Sequence, residues 1–142
     1  MRIIYQIFVS FLFVLLISGQ MLADSGTGMP VKYISSCEID LNGDDKSDIA
    51  MLIETVEGRE LIVLLRTENG YDSYLVAKGI AESMFLSCHF GDSIKETAAG
   101  EDKEAQQDYK VPGAYLSLFQ PEGSATAYFW DGTGFKQVWI SD

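Results

Sequence analysis

"DIAMLIETVEGRELIVLLRT", residues 48–67, decides the fold. Two runs dense in Ile, Leu and Val flank Glu57-Gly58-Arg59. Helices usually need a longer stretch, and the second run is closed off by Gly58 and Gly70, so the pattern predicts two strands, 48–56 and 60–67, joined as a hairpin. Both are apolar at nearly every position, which predicts burial on both faces.

The same grammar extends in both directions. "KYISSCEI" (32–39) precedes the pair, and "ENG" turns the chain into "YDSYLVA" (71–77). "SMFLSCHF" (83–90), "GAYLSLFQ" (113–120), "SATAYFW" (124–130) and "FKQVWIS" (135–141) follow, the last three separated by "PEG" and "DGTG". Landmarks recur in order: "SSC" at 35–37 and "LSC" at 86–88, "EG" at 57–58 and 122–123, "GY" at 70–71 and "GF" at 134–135. The expectation is a single all-β domain, 32–142, of two four-stranded antiparallel blade-like units, 32–77 and 83–141, packed as neighbouring blades or as a compact sandwich. The second half carries a polar stretch, 91–112, with six acidic and three basic residues, read as an insertion. A short exposed helix over "ETAAGEDKEAQQ" and a disordered loop are both open readings of it.

Residues 1–23 carry Arg2, an apolar run from Ile3 to Ile17, a Ser18-Gly19-Gln20 break and a small Ala23. That is the layout of a secretory signal peptide, followed by a flexible leader over 24–31. The run is shorter than the roughly 20 residues of a membrane span. An uncleaved anchor is the alternative, because Met21 is a poor residue three places before the cut. Secretion or periplasmic export is thus expected, with no membrane span in the mature chain. There Cys37 and Cys88, the only cysteines, would form a disulfide. Without Arg2, nine basic residues face 21 acidic ones, a formal charge of −12. Such a chain does not bind nucleic acid through phosphates and is repelled by anionic membranes.

The acids are not evenly spread. "DLNGDDKSD", 40–48, puts Asp40, Asn42, Asp44, the carbonyl of Lys46 and Asp48 at alternate positions, an oxygen set suited to calcium. A helix–loop–helix calcium hand would need Gly and Glu where Asp45 and Met51 stand. "DLNGDDKSDIAML" resembles the calcium loop of FG-GAP/VCBS-type repeats, Asp-x-Asn-Gly-Asp-Gly-x-x-Asp before a hydrophobic strand, which joins the first two strands of a β-propeller blade. The resemblance implies one structural calcium ion (Ca2+) held by Asp40, Asn42, Asp44, the Lys46 carbonyl and Asp48. The one departure is Asp45 in place of a glycine that often takes a left-handed backbone. Two units cannot close a propeller ring. The second half keeps only Asp92 and Ser93 of such a loop, so one site is expected.

No catalytic constellation stands out. The single histidine, His89, has no recognisable partner pattern, and no Gly-rich phosphate loop occurs. The aromatic hairpin "YFWDGTGFKQVW" offers Tyr128, Trp130, Phe135 and Trp139 either as a partner surface or as core between sheets. The expected function is a non-catalytic binding module for an unknown protein or glycan. The alternatives are an enzyme inhibitor using the acidic 91–112 stretch and, behind it, a carboxylate-based hydrolase.

Overall fold

A computed structural model describes residues 31–97, 107–121 and 123–140. The expected signal peptide, nearly all of the expected leader and the centre of the polar stretch lie outside these. Eight strands run in order: β1 (Lys32–Ile39), β2 (Asp48–Thr55), β3 (Gly58–Arg66), β4 (Tyr71–Ile80), β5 (Phe85–Lys95), β6 (Asp108–Phe119), β7 (Ala125–Trp130) and β8 (Phe135–Ile140). They form two antiparallel four-stranded sheets, β1-β2-β3-β4 and β5-β6-β7-β8, the same meander twice. The fold is all-β, with no helix among the described residues.

The sheets pack face to face. Ile39, Leu52, Leu61 and Val63 from the first sheet share one buried cluster with Ala114, Leu116, Leu118 and Tyr128 from the second. Side chains alternate across a strand, so each sheet gives every second residue to this layer. A disulfide between Cys37 on β1 and Cys88 on β5 ties the two opening strands, with Cα atoms 6.3 Å apart.

Burial on both faces of β2 and β3 is not what the structure has. Their residues alternate between buried and half-exposed. Ile49, Met51, Ile53, Ile62 and Leu64 point away from the core, and neither buried cluster includes them or packs against them. The second sheet differs. Its outer face carries a cluster of its own, in which Ile94 and Val111 pack with Ala127, Phe129 and Val138.

That second cluster corrects the reading of 91–112 as an insertion between strands. Residues 91–95 and 108–112 prolong β5 and β6, which run to 11 and 12 residues. The register slips between Gly91 and Ser93, and Gly113 takes a left-handed φ of 106°. A bulge and a glycine bend a strand pair away from its sheet. The bent hairpin lies over the outer face, and Thr97 donates its main-chain N–H to the carbonyl of Trp139 on β8 at 3.0 Å. The apolar side chains responsible, Ile94 and Val111, are isolated within a polar stretch, so a composition-based reading passes over them.

Candidate functional site

Between β1 and β2 the loop 40–48 coils tightly. Asp40 accepts three main-chain N–H groups: Gly43 at 2.7 Å and Asp44 at 3.2 Å on Oδ1, and Asp45 at 2.8 Å on Oδ2. Asn42 Oδ1 accepts Asp44 N–H at 3.1 Å, and Asp44 Oδ1 accepts Lys46 N–H at 3.0 Å. These are Asx turns in series, and they explain part of the tolerance for so much charge. The Lys46 ammonium also stands 3.6 Å from Asp44 Oδ2.

Two residues carry the backbone through the left-handed region, Gly43 at φ 76° and Asp45 at φ 64°. Asp45 is the single non-glycine residue with positive φ among the described residues. It adopts the conformation that a glycine would take more cheaply. Gly43 is needed twice over, because a Cβ there would meet Pro112 at 3.2 Å. The acidic loop of the first half therefore rests against the hairpin of the second.

Asp48 behaves unlike its neighbours. It is fully buried, its Oδ2 accepts Leu41 N–H at 2.8 Å, and its Oδ1 accepts Arg66 N–H at 2.8 Å. Burial pushes its carboxyl above the usual value, the Arg66 and Leu41 amides pull it back, and the charges of Asp44 and Asp40 push it up again. Asp48 is thus a brace that closes the loop onto the end of β3.

The donor set fits a hard cation in kind, since positions 40, 42, 44, 46 and 48 all offer oxygen, and the backbone is already coiled. Side-chain convergence is a separate matter. Among the described residues no three His, Cys, Asp or Glu side chains are grouped so that they could hold a metal ion.

The aromatic quartet does not form one surface. Tyr128 is buried in the inter-sheet core. Trp130 and Phe135 pack against that core and meet Tyr74 of the first sheet edge-on, with centroids 5.2 Å and 5.8 Å away. Only Trp139 is broadly exposed. Three of the four thus lie in or against the core between the sheets, the second of the two readings open for this hairpin, and only Trp139 is left for a partner.

His89, by contrast, acquires a setting that the sequence did not signal. Its Nε2 shares a 2.8 Å hydrogen bond with Ser117 Oγ, and its ring stacks on Tyr115 at 4.9 Å. These side chains line an open groove of about 560 Å3 with Ser87 and Phe119 on the outer face of the second sheet. Burial lowers the imidazole pKa, favouring the neutral ring. No acidic group among the described residues is bonded to the other ring nitrogen, the partner that orients a catalytic imidazole. The hint was available only through register: Ser87 pairs with Ser117 and His89 with Tyr115, which makes His89 and Ser117 diagonal neighbours.

Geometry thus defines a disulfide-tied pair of four-stranded sheets with an acidic loop at one seam. No protein-family model matches the chain, and no curated protein and no solved structure matches it either. No helix among the described residues is long and apolar enough to cross a membrane.

Proposed function

We propose that the chain is a non-catalytic extracytoplasmic binding module whose 40–48 loop takes up one structural calcium ion. Asp40, Asn42, Asp44, the Lys46 carbonyl and Asp48 would hold it, and the ion would supply charge neutralisation where four carboxylates crowd together. The observation that carries this reading is the coiled backbone, with Asp45 held at φ 64° in the place where the resembling loops have glycine. Asx-rich turns tolerate that conformation too, so the added support is the acidity of Asp45, a fourth carboxylate whose repulsion a turn alone does not relieve. The Lys46 ammonium beside Asp44 is then a weak surrogate cation that calcium displaces.

The module reading is supported by the disulfide, which suits an oxidising compartment, and by the strongly acidic balance. An inhibitor working through 91–112 gains less support, because both arms of that stretch are spent covering their own sheet. Calorimetric titration of chelator-treated protein is the test. One calcium ion per chain is expected, and no heat at millimolar calcium in folded protein would end the proposal.

A further inference from the structure

The bent hairpin covers only part of the second sheet's outer face. Its cluster ends at Tyr115 and Ile140, which pack against it and also line the open groove of about 560 Å3. Three cross-strand pairs of β5 and β6 set the shape of that groove: Phe85 with Phe119, Ser87 with Ser117, and His89 with Tyr115. Alternation along the strands puts all three on one face. Each outer pair is two rings in contact, Phe85 and Phe119 with centroids 6.0 Å apart, His89 and Tyr115 stacked at 4.9 Å. A notch of small hydroxyl side chains therefore lies between two aromatic walls. Four residues of strand separate the walls, about 13 Å at about 3.3 Å per residue. Less a van der Waals contact of about 4 Å at each wall, the gap is the width of one six-membered ring.

The polar groups around the notch are available. Ser117 Oγ is engaged by His89 Nε2, but the side chains of Ser87 and Gln120 and the Tyr115 hydroxyl have no hydrogen-bond partner among the described residues. Hydroxyls and an amide both donate and accept. Charge is missing from the groove. No Asp, Glu, Lys or Arg lines it, and burial favours the neutral ring of His89, in a chain whose formal charge is −11. An anion is repelled by the molecule as a whole, and a cation finds stronger attraction elsewhere on it. The chemistry that fits is an uncharged ligand with C–H faces for the rings and hydroxyls for the polar groups. We propose that the groove binds a neutral saccharide, with one sugar ring seated over Ser87 and Ser117 between the two aromatic pairs. Its C–H groups lie against Phe119 and Tyr115, and its hydroxyls reach Ser87 and Gln120. The open groove lets an oligosaccharide continue past the seated ring. This site rests on the binding-module reading and is independent of the calcium ion.

His89 is the only histidine in the chain, so its imidazole C–H proton signals report on the groove without ambiguity. Proton NMR of the purified full chain tests the site, with cellohexaose, maltohexaose, xylohexaose, mannohexaose and the chitin hexasaccharide as probes. The His89 signals should move saturably with at least one of them, at millimolar concentrations or below. Tyr115→Ala should weaken that binding roughly tenfold. Gln120→Ala, at an exposed position, should weaken it severalfold and serves if Tyr115→Ala fails to fold. Trp139→Ala, off the groove, should bind as the wild type does. His89 signals that stay unmoved across the whole panel overturn the site. So does wild-type affinity in both groove variants, loss of binding in Trp139→Ala, or equal binding of the acidic hexagalacturonate. Titrations in calcium and in chelator should agree. A failed saccharide titration therefore leaves the calcium loop standing, and a loop that takes no calcium leaves the groove standing.

Discussion

Asp48 accepts the main-chain N–H of Arg66 at 2.8 Å across 18 residues of sequence, joining the acidic loop to the last residue of β3. Its other oxygen accepts Leu41 N–H, so each oxygen of this buried carboxylate takes one backbone amide and keeps a second lone pair. Asp48→Asn keeps the shape but can accept only one of the two amides well. It should destabilise the fold by about 1–3 kcal/mol, the cost of a buried donor left without a partner. The urea midpoint measures it, and an unchanged midpoint would remove Asp48 from the role of brace.

Acid titration should separate Asp48 from Asp131. Asp131 Oδ1 accepts Thr133 N–H at 2.8 Å, the Thr133 hydroxyl at 2.8 Å and Gly134 N–H at 3.0 Å, and Lys136 lies 3.1 Å from Oδ2. These contacts, the Thr133 amide first, hold its carboxyl well below the ordinary value of 3.8. Its contribution is present above 3.8 and is lost as pH falls through the depressed folded value. Asp48 runs the other way: its raised folded value favours the protonated native state, a contribution lost as pH rises through that value. Asp131→Asn should therefore flatten the acid limb of the melting temperature against pH, while Asp48→Asn should steepen it. Identical limbs in both variants would contradict the assignment.

Calcium gives a crossover. At a free concentration 100 times the dissociation constant, a single bound ion stabilises the native state by about 2.7 kcal/mol. Asp44→Ala removes an oxygen of the proposed set and also the acceptor for Lys46 N–H. The variant should melt below wild type in calcium and close to it in chelator, where relief of repulsion offsets the lost Asx turn. Scanning calorimetry in both buffers checks this, and an equal deficit in both would reduce the loop to a turn.

The Cys37–Cys88 link spans 51 residues. By chain entropy it contributes about 4 kcal/mol. Reduction, or the paired change of both cysteines to alanine, should lower stability by roughly that amount. Mass spectrometry of the untreated protein should find no free thiol.

Sequence reading recovered the strand order because turns and apolar runs are local. Gly58, Gly70 and Asp131-Gly132 mark three of the reversals within the sheets, β2–β3, β3–β4 and β7–β8. It missed which faces are covered, since that depends on partners distant in sequence. Trp130 and Phe135 look the same whether they face solvent or Tyr74. The extension of β5 and β6 was hidden because Ile94 and Val111 are single apolar residues in a polar stretch, Ile94 between Ser93 and Lys95 and Val111 between Lys110 and Pro112. Asp48 was legible as one of five oxygens, yet its geometry as a brace rests on an amide from β3 that no spacing reveals.

The four residues between β4 and β5, Ala81 to Met84, are the only main-chain passage from one sheet to the other. The disulfide makes a second, joining the opening strands of the halves. A protease that cut the exposed Ala81–Ser83 turn would release no fragment. The nicked molecule would keep its inter-sheet core and fall apart only under reduction. In oxidising surroundings backbone continuity at this seam is dispensable, so new chain ends could be opened there without cost to the packed interior.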